Sequence, residues 1–134
     1  MNSLTPFSPM LPTLHHIIPT GSDWIYEPKY DGYRMQVIWQ SENNIHFFSR
    51  RLREITDQFP DIVIHFKNSS QHFLPFLPLI LDGECCILSK AYKADFSLIQ
   101  TRGKAKKKEQ SIYFVKMSLL LLLFLMYFIK VEKI

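Results

Sequence analysis

The stretch LPLILDGECCILS, residues 77–89, constrains the fold more than any other part of the chain. Two apolar runs flank Asp82-Gly83-Glu84, which predicts a buried strand that either continues through the acidic interruption or turns at Asp82-Gly83. In both cases a carboxylate with strand on either side can project into a cleft. With 134 residues the chain has room for one domain with a modest core.

The rest of the pattern supplies companions for that strand. Residues 24–27 (WIYE) read as a short strand, 33–40 (YRMQVIWQ) as a second with apolar alternation, and 45–49 as a third after a turn at Asn43-Asn44, together an antiparallel meander. Residues 61–67 follow Pro60, which favours the first helical turn, and predict a short helix despite their β-branched content. Residues 95–101 predict another short helix capped by Asp95, followed by a lysine-rich loop over 104–110 and a strand over 112–115. The expected class is therefore α+β, with antiparallel sheets and short helices.

Positive charge is gathered in two places, Arg50, Arg51 and Arg53 in one, Arg102, Lys104, Lys106, Lys107 and Lys108 in the other, which suggests a polyanionic partner. Solvated charge on surface loops explains the same clusters. Cys85 and Cys86 are adjacent, which suits neither an ordinary disulfide nor a zinc site and points to a reducing cytosol. Residues 1–20 form an extended Pro-rich lead without the charged start of a secretory signal, and His15-His16 within it reads as a surface pair. Residues 117–134 differ in character: eleven unbroken apolar residues fall short of the roughly 20 needed to cross a bilayer. A buried segment, a weak membrane anchor and a translation artefact all fit that stretch.

The segment WIYEPKYDGYRM holds the candidate nucleophile. As a bare dipeptide, Asp31-Gly32 is a strong hairpin signal and Lys29 its exposed flank. The full pattern K-x-D-G-x-R is more specific, arising by chance on the order of once in a thousand chains of this length. A neutral lysine on a defined backbone can attack an α-phosphate and displace pyrophosphate, provided metal and basic groups neutralise the leaving charge. On a strand, Glu27 and Lys29 would face the same side and enter one pocket.

This pattern resembles the signature of the ATP-dependent DNA ligases, RNA ligases and messenger-RNA capping enzymes. Further stretches in order favour the DNA ligases, in particular the ligase domain of bacterial end-joining enzymes. MLPTL is similar to that domain's opening, FFSRRLREITDQFPDI to its S-R-N-G-x-x-x-T-x-x-F-P-E-I segment, LILDGECCIL to its L-D-G-E motif, and ADFSLIQTRG to A-D-F-x-x-x-Q-x-R.

The resemblance implies a nucleotidyltransferase (ATP-grasp-like) adenylation domain over residues 21–116, using ATP and Mg²⁺ on nicked or broken double-stranded DNA in double-strand-break repair. It implies Lys29 as the adenylated nucleophile and Glu27 as a contact to the adenine edge. Asp31 would hold the turn, with Gly32 beside it at the nucleotide. Arg34 and Arg50 would bind ribose or phosphate, and Glu84 would sit near ribose and metal, with Asp82 supporting that motif as a second metal carboxylate. Arg51, Arg53, Arg102, Lys104, Lys106, Lys107 and Lys108 would meet nucleic acid. A cytoplasmic, nucleoid-associated protein follows, with end-binding repair proteins as partners and no stable membrane insertion.

Two departures stand out. Arg51-Leu52 replaces the family's Asn-Gly, altering a turn made for glycine. The family's later F-D-x-L-Y, E-G and K-x-K motifs and its OB-fold domain do not follow. Back-translating residues 124–134 with Leu125 as TTG, one frame over, yields Phe or Leu, Asp, Val, Phe or Leu, then Tyr or His. The expectation is a ligase gene read out of frame from between about Ala105 and Leu123, giving a truncated and inactive fragment. A nucleic-acid-binding remnant without catalysis, and a relative of RNA ligases or capping enzymes, are the competing readings.

Overall fold

The structure, a computed structural model, describes residues 3–90, 93–104, 120–123 and 129–130. The chain is α+β, and among the described residues every strand pairing is antiparallel. Strand β1 (Tyr33–Ser41) and strand β2 (Asn44–Ser49) form a hairpin turning at Glu42-Asn43, with Val37 opposite Phe47 and Trp39 opposite Ile45. Asn44, expected in the turn, opens β2 instead.

Strand β3 (Leu79–Lys90) runs unbroken through Asp82-Gly83-Glu84, resolving the alternative left by the sequence. It pairs with β1 along one edge, Arg34 opposite Glu84 and Gln36 opposite Asp82. Strand β4 (Lys93–Ala94) folds back on its end. The short strands β5 (Leu120–Leu123) and β6 (Ile129–Lys130) also pair with β3. These two segments lie in the apolar stretch expected over 117–134. The remainder of that stretch, the strand expected over 112–115, and Lys106, Lys107 and Lys108 lie outside the described residues. Among the described residues no helix is long and apolar enough to cross a membrane.

Alternation sorts β1 and β3 into two faces. Met35, Val37, Trp39, Leu79, Leu81, Cys85 and Ile87 join the core with Ile45 and Phe47 of β2. Helix α1 (Pro60–Asn68) covers this face: Pro60 presets its first turn, and Ile62 and Phe66, four apart, turn inward. Trp39 is the hub, with Phe66 edge-on at 5.3 Å and Phe73 at 5.1 Å, the latter from helix α2 (Ser70–Phe73). Helix α3 (Phe96–Lys104) buries Ile99. Asp95 caps it, accepting from the Ser97 N–H at 3.0 Å and the Ser97 hydroxyl at 2.6 Å.

The opposite face carries Arg34, Gln36, Ile38, Ile80, Asp82 and Glu84. The lead reaches this face, where the Gln36 carboxamide accepts from the Phe7 N–H at 3.1 Å and donates to the Phe7 carbonyl at 2.9 Å. Gln40 donates to the Leu4 carbonyl at 3.1 Å.

Residues 24–27 form no strand, contrary to the sequence pattern. Pro28 supplies no N–H and restricts Glu27, and Trp24, Ile25 and Tyr26 stand exposed. The meander is thus a hairpin with β3 added on its other side.

Candidate functional site

An open cleft of about 1470 Å³ lies where the segment before β1, the turn after β2, β3, α3 and the lead come together. Its lining includes Glu27, Lys29, Asp31, Gly32, Arg34, Arg50, Arg51, Arg53 and Glu84, so the sequence-expected nucleotide residues share one space. Glu27 and Lys29 reach it from irregular backbone, not from the strand expected for them.

Lys29 is 81% exposed, and its ammonium donates to the carboxylate of Asp31. With no strand before it, Asp31-Gly32 makes a bend and not a hairpin. The glycine is required by proximity: a Cβ at Gly32 would stand 2.3 Å from the Cys85 carbonyl oxygen. Its N–H donates to Glu84 Oε1 at 3.0 Å, so the bend three residues after Lys29 is tied to the central strand. Burial raises the Glu84 pKa, a shift opposed by the Gly32 N–H and by Arg34.

Arg34 and Asp82 form a two-pronged pair across β1 and β3, Nε to Oδ1 at 2.8 Å and Nη2 to Oδ2 at 2.9 Å. This bond raises the Arg34 pKa further, against the opposing effect of burial. Two of the five guanidinium N–H donors are used, which leaves others for a ligand.

The donor set distinguishes the two expected metal carboxylates. Each Asp82 oxygen accepts one bond from Arg34, so Asp82 orients the arginine and keeps a further lone pair on each oxygen. Glu84 lines the cleft and has one oxygen on Gly32, which fits Mg²⁺ held by a single carboxylate together with substrate phosphates. Among the described residues no group of three or more His, Cys, Asp or Glu could hold a metal ion without such help.

After β2 the chain reverses tightly. The Leu52 N–H donates to the Ser49 carbonyl at 2.8 Å, the Ser49 N–H to the Arg53 carbonyl at 2.9 Å, and Leu52 sits at φ 59°. Leu52 therefore carries the left-handed backbone that favours glycine. The turn brings Arg50, Arg51 and Arg53 to the cleft, and among the described residues none of the three has an ion pair.

Arg102, expected at nucleic acid, is buried instead. Its guanidinium pairs with Asp61 of α1 and lies 5.3 Å from the centre of the Phe59 ring. Helical spacing turns it inward with Ile99, which a linear count of basic residues does not reveal. Lys104 ends α3, exposed. Sequence reasoning also passed over Met10, Leu11, Phe96 and Gln100 as cleft residues. A buried Gln36 was signalled only by a polar letter within an apolar strand.

The chain is similar to several known proteins. The family described as "ATP dependent DNA ligase domain" matches residues 9–133, a span that takes in most of the apolar stretch. The bifunctional non-homologous end joining protein LigD of Bacillus subtilis is 38% identical over 101 residues, 75% of this chain and 16% of that protein. A DNA ligase of Methanococcus vannielii is 34% identical over 94 residues, 65% of this chain and 15% of that protein. The ligase domain from M. tuberculosis LigD aligns with a TM-score of 0.47 at 26% identity, covering 60% of this chain and 25% of that one. The chain thus spans about one sixth of the length of these two curated relatives.

Proposed function

The chain belongs to the ATP-dependent DNA ligase domain family, and from that premise we propose that its cleft is a nucleotide site in which Lys29 accepts AMP. The observation that carries this reading is the convergence of Lys29, Glu27, Arg34, Arg50 and Glu84, from separate stretches of sequence, on one cleft. In the proposed reaction the Lys29 amine, freed of its proton and of Asp31, forms a P–N bond to the α-phosphorus of ATP, and pyrophosphate leaves with the bonding pair. Glu27 accepts from the amino group of the base. Arg34, steadied by Asp82, and Arg50 hold phosphate or ribose. Mg²⁺ entering with the nucleotide would meet Glu84 and neutralise charge building on the phosphates.

In the whole proteins of this family the next steps would be transfer of AMP to a 5′-phosphate and attack by a 3′-hydroxyl. The proposed substrate is nicked or broken double-stranded DNA in end joining, in a cytoplasmic, nucleoid-associated setting with end-binding repair proteins. Arg50, Arg51 and Arg53, free of carboxylate partners among the described residues, support contact with its backbone. The test is incubation with Mg²⁺ and ATP labelled at the α- or the γ-phosphate. Label retained from the α-position alone supports the reading, and no label under conditions where an intact relative is labelled refutes activity in this polypeptide.

For residues 117–134 the out-of-frame origin is likewise a proposal, carried by the codon argument alone. The nucleotide sequence beyond codon 104 tests it: an alternate frame without F-D-x-L-Y, E-G and K-x-K motifs contradicts it.

A further inference from the structure

Gln36 is 2% exposed in the middle of an apolar strand, and both ends of its carboxamide bond the backbone of one distant residue, Phe7. A buried amide needs such partners, and here they lie 29 residues away in sequence, in the lead. Gln36 shares its sheet face with Arg34, two residues earlier on β1, and Arg34 lies opposite Glu84. The anchor therefore sits beside the ionic part of the cleft.

From Phe7 the chain needs only three more residues, about 10 Å if extended, to reach Met10. Pro6 and Pro9 stiffen this passage on either side of the anchor. Met10, Leu11 and Pro12 then line the cleft, with Met10 75% and Leu11 52% exposed. Lys29, Arg34, Arg50 and Glu84 suit phosphate and ribose. A flat heterocyclic base needs apolar surface, which Met10 and Leu11 of the lead offer alongside Tyr30, Tyr33 and Phe96.

Resting on the nucleotide reading above, we propose that Gln36 is a positioning residue that fastens the lead so that Met10 and Leu11 form the apolar wall against which the base of the bound nucleotide packs. Gln36 does not touch the nucleotide. It sets the population in which the wall is in place, and binding weakens in proportion as that population falls.

The test compares ATP with inorganic tripolyphosphate, which carries the phosphates without a base, by calorimetric titration of the full chain. Two variants release the lead: Gln36→Met removes the amide from the sheet, and Phe7→Pro removes the lead's N–H donor without touching the core. Hydrogen exchange over residues 4–12 establishes the release. The expected result is ATP affinity lower by about tenfold in both variants, with tripolyphosphate affinity unchanged. Equal loss for both ligands, or none for ATP with the lead released, overturns the inference while leaving the nucleotide reading intact. A wild-type chain that binds no ATP overturns the nucleotide reading and the inference with it.

Discussion

Glu84 on β3 accepts the backbone N–H of Gly32 at 3.0 Å, across 52 residues of sequence, and so fixes the bend that follows Lys29 to the strand at the centre of the sheet. This is how irregular backbone can hold a candidate nucleophile in place. The same carboxylate lines the cleft together with Lys29 and Arg34.

The pH dependence of stability follows from Glu84. Burial raises its folded pKa above the unfolded value, so its favourable contribution is complete below about pH 4.3, the unfolded value, and is lost as pH rises through the folded pKa. Glu84→Gln keeps an acceptor for Gly32 without the charge. The variant is expected to melt higher than wild type near neutral pH, with the difference shrinking in acid, and to take up less AMP. Thermal melts across pH 4–8 check this, and an unchanged pH slope contradicts it.

Gly32→Ala probes the close approach at the bend. The new Cβ would meet the Cys85 carbonyl oxygen at 2.3 Å and Cys86 Cβ at 2.9 Å, so backbone must move. A loss of about 1–3 kcal/mol is expected by chemical denaturation, with faster hydrogen exchange over residues 28–33.

Leu52→Gly should act in the opposite direction. A leucine at φ 59° carries about 1–2 kcal/mol of left-handed strain, against about 0.5–1 kcal/mol of extra unfolded-state entropy for glycine. Leu52 is exposed and loses little packing, so a net gain of about 0.5 kcal/mol is expected in denaturant titrations.

The two arginine populations should separate cleanly. Arg102→Met leaves Asp61 largely buried without its partner and should cost about 3 kcal/mol, most of it recovered by adding Asp61→Leu. Replacing Arg51 or Arg53 with Gln should leave stability nearly unchanged but lower the salt dependence of DNA binding by about one counterion each. Denaturation and binding at several salt concentrations distinguish the two effects.

Much of this arrangement is legible in the amino-acid sequence. Alternation locates β1 and β2, Pro60 and Asp95 mark the starts of α1 and α3, and the unbroken apolar character around Asp82-Gly83-Glu84 locates β3. Residues 24–27 read as a strand because propensity does not report whether a sheet edge waits for them, and Pro28 interrupts the backbone bonding. The pairing of Asp82 with Arg34 escapes the sequence because the two lie 48 residues apart. Arg102 reads as surface charge because its partner Asp61 lies 41 residues away. Gln36 and the lead escape for the same reason: their meaning lies in a long-range pairing.

Whether Lys29 takes up AMP is decided by peptide mapping with mass spectrometry. After incubation with ATP and Mg²⁺, an adenylated peptide containing Lys29 is expected, lost in Lys29→Ala. AMP attached to another residue, or adenylation that survives Lys29→Ala, would contradict it.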